Sequence, residues 1–422
     1  MRKRAPLRRR AGLVTRYGAR LASVKGLRRP APAVARWRGM DTAPTAPAPH
    51  LFAGAAAPLL HPDALPPLRH HRLWRPKRVL VTRGARAFPR ALAMAERAAA
   101  LGAEVVELPN DRLTGLASGE SPAADYRLAK NTMAIVVASA AKRRLQPIPP
   151  SADWRFDLAE GCPAHCQYCY LAGSLAGPPI TRVYANVEEI FDGLAAYVGQ
   201  GTVTSASAER SGEGTTFEAS CYADPLGVEH LTGSLSEAVS FFGRWDAPVQ
   251  LRFTTKFADV SPLLGLEHRG RTRVRMSVNA AHLIRFEGGT SPLPERLRAL
   301  GQLARAGYRV GLTVAPIQPV DDWRTGYAAL FADAARELAG APDLDLTAEL
   351  ITHRFTPKSK GVLQGWYPAS KLEMDEEKRS RKLTKFGSVK HVYPAATMKE
   401  MRAELTGLLG RHLPQAKVLY WT

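Results

Sequence analysis

Short apolar stretches alternate with amphipathic stretches along most of the 422-residue chain. The apolar stretches are rich in β-branched residues and are bounded by turn residues, which is typical of strands. The amphipathic stretches repeat apolar residues at helical spacing. This pattern predicts strands over residues 77–82, 103–108, 133–138, 215–220, 249–254, 274–278, 309–315 and 345–351. It predicts helices over residues 88–101, 187–198, 235–242, 293–306, 323–339 and 395–409.

Repeated strand–helix units of this spacing predict an α/β protein with a parallel sheet, open or closed into a barrel. The first β-α-β unit indicates a small N-terminal α/β domain over residues 74–150. The longer alternation occupies residues 151–354. In residues 355–422 the alternation breaks, and a turn near residue 387 indicates a hairpin over residues 381–393 before the last helix.

Residues 1–73 do not share this pattern. They are rich in Arg, Ala and Pro, which predicts disorder. Such an Arg-rich, acid-poor start is typical of a transit peptide or of a nucleic-acid-binding arm. Met40 is a second possible start, so the sequence leaves open whether residues 1–39 are translated.

The basic charge of the chain is concentrated at its start. The chain has 59 Lys+Arg and 38 Asp+Glu, a net charge of +21. Residues 1–38 contain 13 basic residues and no acidic residue, so the remainder has 46 basic and 38 acidic residues, or +8. A basic surface favours a polyanion such as nucleic acid, because neutralised phosphates release counterions. A solubilising surface charge is the alternative.

No run of about 18 apolar residues occurs, so we expect no membrane-spanning helix.

Three of the four cysteines, Cys162, Cys166 and Cys169, lie within eight residues in the segment EGCPAHCQYCYL. Four cysteines in a chain of this length are too few for a secreted disulfide scaffold. The clustering of three of them indicates a ligand set in the reducing cytoplasm. A structural zinc ion and an ordinary iron–sulfur cluster each take four protein ligands. Three cysteines instead leave one iron of a cluster open to a substrate or cofactor.

Two other interpretations of these cysteines stay open at this point. Zinc could bind them with His165 or Cys221 as the fourth ligand. The cysteines could also line one face of a helix as small apolar residues. Gly161 and Pro163 oppose that helix, and the segment has no apolar stripe.

The spacing C-x3-C-x2-C, with an aromatic residue before the third cysteine, resembles the signature of the radical S-adenosylmethionine superfamily. The resemblance implies a [4Fe-4S] cluster on Cys162, Cys166 and Cys169. It also implies that the open iron binds S-adenosyl-L-methionine, which is then cleaved to a 5′-deoxyadenosyl radical. In such enzymes the protein orients the cofactors and excludes competing reactions.

Further segments resemble the spore photoproduct lyase family, namely GCPAHCQYCYL, TRVYANVEEI, FEASCYADPLGVEHLTGSL, ELITHRFTPKSK, GWYP and KLEMDEEKR. They lie between residues 74 and 410, in the order that the family shows. The resemblance implies a partial parallel (β/α) barrel of radical SAM type, with a small N-terminal α/β domain and a C-terminal β-hairpin extension. The cluster is expected in the loop after the first barrel strand. The family repairs a thymine–thymine adduct in DNA without light.

The resemblance also implies roles for individual residues. Cys221 matches the cysteine that gives hydrogen to the product radical, and Tyr168 and Tyr170 match the tyrosines that pass hydrogen back. The alternatives are a buried small residue for Cys221 and simple packing around a cofactor for the tyrosines. Positions around S-adenosylmethionine correspond to Lys256, Ser277 and Ala315. Glu218 could hold the amino group of the cofactor or be a structural carboxylate.

The chain departs from the family pattern on the substrate side. Ala223 stands where the family typically has a serine, and Lys385 and Phe386 stand where it has an Arg-Tyr pair on the hairpin. These changes point to a divergent member and leave the exact lesion open. DNA contacts are expected from a basic set, although each member could equally belong to a solvated loop: His353, Arg354, Lys358, Lys360, Lys378, Arg379, Arg381 and Lys382.

The sequence therefore predicts a radical SAM lyase that reverses a thymine photoproduct of spore type. Its expected partners are lesion-containing DNA and an electron donor such as a flavodoxin or ferredoxin, in the cytoplasm and without a membrane. The oligomeric state stays open. One alternative is a radical SAM enzyme acting on another nucleic-acid lesion, on RNA or on a small molecule. The other is a metal-stabilised nucleic-acid-binding protein without enzymatic activity.

Overall fold

The computed structural model describes residues 73–174, 178–208, 210–383, 387 and 389–422. Apart from Leu73, the predicted disordered segment 1–73 lies outside these residues, and so do the hairpin candidates Lys385 and Phe386. Among the described residues, no helix combines the length and the apolar character needed to cross a bilayer.

The strands of the described residues are short, as is usual in α/β proteins. In chain order they are β1 (Arg78–Val81), β2 (Glu104–Glu107), β3 (Thr132–Val136), β4 (Gln146–Ile148), β5 (Ala152–Phe156), β6 (Ala159–Glu160), β7 (His165–Cys166), β8 (Thr181–Tyr184), β9 (Thr215–Ala219), β10 (Val249–Thr255), β11 (Thr272–Val278), β12 (Glu287–Gly288), β13 (Arg309–Ile317), β14 (Leu346–Thr352), β15 (Ser380–Leu383), β16 (Val389–Val392) and β17 (Lys417–Trp421).

The α-helices mostly lie between these strands. They are α1 (Pro89–Ala100), α2 (Pro122–Lys130), α3 (Val187–Asp192), α4 (Glu229–Thr232), α5 (Ser234–Arg244), α6 (Ala281–Ile284), α7 (Leu293–Arg305), α8 (Trp323–Leu338), α9 (Pro357–Trp366) and α10 (Ala395–His412). The predicted helix over residues 187–198 is too long, since α3 ends at Asp192 before Gly193, a weak helix former.

An eight-stranded sheet forms the larger part of the fold, in the order β17-β14-β13-β11-β10-β9-β5-β4. Its strands from β5 to β17 are parallel, and β4 joins β5 in antiparallel orientation. Because β4 and β17 do not pair with each other, the sheet curls without closing. This is the partial parallel barrel that the sequence predicts. All its parallel strands end at one edge, where barrel enzymes place their active sites.

Side chains of the barrel strands alternate between two different environments. Along β11, Val274, Met276 and Val278 belong to the main hydrophobic core together with apolar residues of α5, α7 and α8. Arg273 and Arg275 alternate with them, are also buried, and bind carboxylates instead. Since successive side chains of a strand point to opposite faces, the helices cover an apolar face and the concave face is polar.

A second sheet has the order β2-β1-β3-β8-β6. Its strands β2, β1, β3 and β8 are parallel, and β6 is antiparallel to β8. A smaller apolar core lies between this sheet and α1. The strand order shows that β6 and β8, which flank the cysteine segment, extend the sheet begun by the N-terminal strands. The domain boundaries at residues 150 and 354 stay a prediction.

The predicted C-terminal hairpin is present. Strands β15 and β16 pair in antiparallel orientation, with Ser380 opposite Val392 and Leu383 opposite Val389. The side chains of β15 are exposed. At the base of the hairpin, Arg379 directly precedes β15 and Tyr393 directly follows β16. The buried guanidinium of Arg379 lies 3.7 Å from the centre of the Tyr393 ring and pairs with Glu373. This contact fixes the start of β15 against the end of β16.

Candidate active site

The three clustered cysteines lie in the connection between β6 and β8, the cysteine loop, at the edge where the parallel strands end; within it Cys166 belongs to the short strand β7. The N–H of Gly161 donates to the carbonyl of Tyr222 at 2.9 Å, and that of Gln167 donates to Phe286 at 2.8 Å. Gly161 has a φ of +72°, and a Cβ atom there would lie 2.0 Å from the carbonyl oxygen of Ile180. Only glycine therefore fits at the start of this loop. Both hydrogen bonds fix the loop against segments that follow β9 and β11.

The thiols of this loop are suited to an iron–sulfur cluster. All four cysteines of the chain are free. Burial raises the pKa of the Cys162 thiol to about 12 and also raises that of Cys166, so their thiolates need a cation nearby. No three His, Cys, Asp or Glu side chains of the described residues converge on a single-ion site. In a cluster each thiolate binds a separate iron.

A buried carboxylate, Glu287, joins the cysteine loop to the barrel. Strands β7 and β12 pair so that Glu287 lies opposite Cys166. Glu287 forms ion pairs of 2.5 Å with Lys256 and with Arg296, and it accepts the hydroxyl of Tyr168. Burial opposes its ionisation, but the two cations outweigh burial and hold the pKa of Glu287 below its usual value. Two predicted site residues, Lys256 and Tyr168, are thus brought together.

The fourth cysteine, Cys221, follows β9 in a turn that Ser220 fixes. Ser220 has a φ of +56°, and its hydroxyl accepts the N–H groups of Leu158 at 2.9 Å and Ala159 at 3.1 Å. The half-buried thiol of Cys221 lies 3.8 Å from the Arg155 guanidinium. Burial raises the pKa of this thiol to about 12, so the sulfur keeps its proton at neutral pH.

The two tyrosines beside Cys169 reach different parts of the site. The hydroxyl of Tyr170 donates to the carbonyl oxygen of Cys221. The hydroxyl of Tyr168 instead lies between Glu287 and the ammonium group of Lys256, which is 3.3 Å away. Tyr170 therefore connects the cysteine loop to Cys221 directly.

The fold and this arrangement agree with one family. The family model for spore photoproduct lyase matches residues 74–422. The chain belongs to the spore photoproduct lyase family. It is 39% identical over 348 residues to the spore photoproduct lyase of a Geobacillus species, covering 82% of this chain and 98% of that relative. It is also 39% identical over 323 residues to that of Bacillus subtilis, covering 76% and 91%.

Solved structures of the family have the same fold. Spore photoproduct lyase complexed with dinucleoside spore photoproduct matches with a TM-score of 0.75 and 38% identity, over 83% of this chain and 99% of that one. A mutant of spore photoproduct lyase with bound AdoMet and dinucleoside spore photoproduct also matches with a TM-score of 0.75, at 37% identity. It covers 82% of this chain and 99% of that chain. The predicted fold class is confirmed.

The three residues that the family resemblance places around S-adenosylmethionine lie at the carboxyl ends of neighbouring strands. Lys256 directly follows β10, while Ser277 lies near the end of β11 and Ala315 near the end of β13. Lys256 is four residues after Arg252, and Ser277 is two residues after Arg275. An even spacing along a strand places side chains on the same side, here the concave face. Their roles stay a prediction.

The predicted substrate-side residues are in different environments. Ala223 packs partly buried against the smaller apolar core. His353 is buried, and burial together with the nearby Arg379 lowers its pKa to about 3, so it is neutral and cannot supply the expected charge. Arg379 is also buried, as described above for the hairpin. The other predicted basic residues, in part exposed, are Arg354, Lys358, Lys360, Lys378, Arg381 and Lys382.

Sequence reasoning missed several polar groups that surround the cysteines. Glu287 and Lys130 are both buried and both contact the cysteine loop. Arg155 lies beside the Cys221 thiol, and Asp224 accepts the N–H of Lys256 at 2.7 Å. Burial raises the pKa of Asp224 to about 6. Charged residues alternating with apolar ones in a strand, as at Arg155, are the signal that could have indicated a polar concave face.

Proposed function

We propose that this chain repairs a thymine–thymine photoproduct of spore type in DNA through a radical reaction that depends on S-adenosylmethionine. The observation that carries the proposal is the hydrogen bond from Tyr170 to the Cys221 carbonyl. It joins the loop that would generate the radical to the residue that would quench the product radical. Family membership supports the reaction class, and the site at the open edge of the barrel supports access for a substrate.

Cys162, Cys166 and Cys169 would hold the [4Fe-4S] cluster, since all three are free and lie within one short segment. When bound, the cluster and S-adenosylmethionine together supply the electron and the adenosyl group from which the radical forms. Lys256 would meet the carboxylate of the cofactor as a positive point charge. Ser277 and Ala315 would line its binding site on the concave face.

Cys221 would give a hydrogen atom to the thymine radical that remains after the cross-link breaks. The S–H bond breaks, a C–H bond forms and a thiyl radical is left on the sulfur. A protonated thiol is required for this step, and the raised pKa of Cys221 provides it. Tyr170 would then return a hydrogen atom to the sulfur and become a tyrosyl radical. Tyr168, beside Lys256, would give a hydrogen atom to Tyr170 and recover one from 5′-deoxyadenosine on the cofactor side.

The proposed substrate is DNA that contains the photoproduct. The exposed charges of Arg354, Arg381 and Lys382 would contact its phosphates, since these side chains lie beside or on the hairpin. A bulky lesion inside a duplex must be bent or flipped out to reach a buried site. The reaction also needs a one-electron donor, such as a flavodoxin or ferredoxin, and a reducing compartment such as the cytoplasm.

The proposal is tested with a synthetic dinucleoside spore photoproduct under anaerobic, reducing conditions. Reconstituted protein should convert it to the thymine dinucleotide while forming 5′-deoxyadenosine. Both products are measured by chromatography with mass detection. Steady 5′-deoxyadenosine formation without any repaired dinucleotide would reject the lyase and favour a radical SAM enzyme with another substrate.

The raised pKa of Cys221 predicts that clean repair does not decline in mildly alkaline solution. A thiol with an ordinary pKa of about 8.5 would be mostly thiolate at about pH 9.5 and would lose its transferable hydrogen. Because burial raises the pKa of Cys221 to about 12, the ratio of repaired dinucleotide to by-products should stay constant from about pH 7 to pH 9.5. A ratio that halves near pH 8.5 would contradict this. The Cys221→Ala variant gives the baseline without a thiol.

A further inference from the structure

A lysine outside the predicted site lies directly against the cysteine loop. Lys130 is the last residue of α2, and it is only 5% exposed. Its ammonium group donates hydrogen bonds to the carbonyl oxygens of Cys162 and, at 2.6 Å, Ala164. These two carbonyls flank Pro163, at the beginning of the three-cysteine segment.

In the part of the chain that the structure describes, no carboxylate neutralises this buried charge. Within the described residues, the ammonium group of Lys130 contacts the two carbonyls and the face of the Tyr126 ring, 5.6 Å from its centre, and forms no ion pair with a carboxylate. A buried cation without a counter-charge is costly. One of the two carbonyls belongs to Cys162 itself, so the ammonium group lies beside the first of the three clustered cysteines.

The surroundings hold Lys130 in place. Tyr126, one turn earlier on α2, stacks on Trp366 with ring centres 4.7 Å apart and hydrogen bonds to Tyr367. The backbone carbonyl of Lys130 accepts the indole N–H of Trp74 at 3.1 Å. The ammonium group therefore approaches the loop from a fixed helix end, which suits a positioning role.

We propose that Lys130 is the buried counter-charge of the iron–sulfur cluster and positions the loop that binds it. The inference rests on the cluster assigned in the proposed function. A [4Fe-4S] cluster with three thiolates is anionic and gains a further negative charge on reduction. A fixed cation nearby stabilises the reduced form more than the oxidised form, so Lys130 raises the reduction potential. The segment predicted as a separate N-terminal domain then supplies part of the cofactor site.

The experiment compares Lys130→Gln and Lys130→Arg in the full-length protein after anaerobic reconstitution. The readouts are iron and sulfide per chain, and the midpoint potential of the cluster in a redox titration followed by electron paramagnetic resonance. Lys130→Gln should bind several-fold less iron and shift the potential downward. A tenfold loss in the preference for the reduced cluster corresponds to about 59 mV. Lys130→Arg keeps the charge and should stay close to the wild-type potential.

The matched control is Lys142→Gln, which removes an exposed lysine paired with Glu160 just before the loop. It should leave the iron content and the potential unchanged. Thermal melting of each protein before reconstitution identifies variants that fail to fold. A folded Lys130→Gln protein with wild-type iron content and potential would overturn the inference. These readouts do not involve DNA repair, so failure of the lyase assay would not affect them.

Discussion

Replacing Cys162, Cys166 or Cys169 with alanine is expected to reduce 5′-deoxyadenosine formation by at least about 1000-fold, or roughly 4 kcal/mol in activation free energy. Each of these thiols would bind one iron, and the fourth iron must stay open for S-adenosylmethionine. The only other cysteine, Cys221, lies in the turn after β9 beside Arg155. It is fixed there by the Ser220 turn and by Tyr170, so it is not free to replace a lost ligand.

The measurement is 5′-deoxyadenosine per chain and per hour, together with the iron content and the visible absorption of the reconstituted protein. Cys221→Ala is the matched control, because it also removes one thiol. It should keep wild-type iron content and cofactor cleavage, and it should lose clean repair while forming by-products. If one of the three loop variants kept full iron and full cleavage, that cysteine would not be a cluster ligand.

The parts of this fold that the sequence predicted are those determined by local pattern. The cores of β10, β11 and β13 and the bodies of α7 and α8 appear within a few residues of their predicted positions. Their side chains alternate at a constant period, and helices cover their apolar face. The spacing of the three cysteines is likewise a local feature, and it indicated a metal-binding segment without knowledge of the fold.

Of the four α-helices that were not predicted, α4 and α6 are single turns, but α2 and α9 are longer and the sequence contains their start signals. Ser121 precedes Pro122, the first residue of α2, and its hydroxyl accepts the N–H of Ala124 at 3.2 Å. Thr356 precedes Pro357 and forms a capping box with Ser359 at the start of α9. A capping residue followed by proline is a recognised helix start. Neither helix has a long apolar stripe, so the periodicity alone did not indicate it.

The surroundings of the cysteines could not be predicted, because they depend on contacts between distant segments. Lys130 and Cys162 are 32 residues apart, and Lys256 and Glu287 are 31 apart. Each of these charged residues would ordinarily be placed on the surface. Burial becomes tolerable only when the fold brings opposite charges or carbonyl groups together.

On the concave face of the barrel, a larger set of charged side chains is likewise buried because the fold brings opposite charges together. Arg275 forms ion pairs with Glu218 at 2.6 Å and with Glu349 at 2.9 Å. Arg252 binds the other oxygen of Glu349 at 2.8 Å. All four side chains are buried, and their charges sum to zero. Glu218, for which a cofactor contact was one possibility, is thus the partner of Arg275. A buried network of this kind is expected to be sensitive to the loss of any single charge.

Arg275→Met is therefore expected to lower the free energy of unfolding by about 3–5 kcal/mol. The methionine fills much of the arginine's volume, but Glu218 and Glu349 are then left with Arg252 alone. The buried charges no longer balance, and the excess carboxylate must be desolvated without a partner. Unfolding in urea, followed by circular dichroism before reconstitution, measures the change. The control Arg336→Met removes an exposed partner of Asp333 and should cost less than about 0.5 kcal/mol.

A second substitution separates loss of charge balance from loss of packing. Adding Glu218→Gln to Arg275→Met restores a neutral set, with Arg252 opposite Glu349. The double variant should then be more stable than Arg275→Met alone, although Glu218→Gln by itself should destabilise the wild-type protein. This reversal of sign is expected only when the two residues are coupled through their charges. If the two changes simply add, the barrel interior is held by packing, and the ion pairs do not determine its stability.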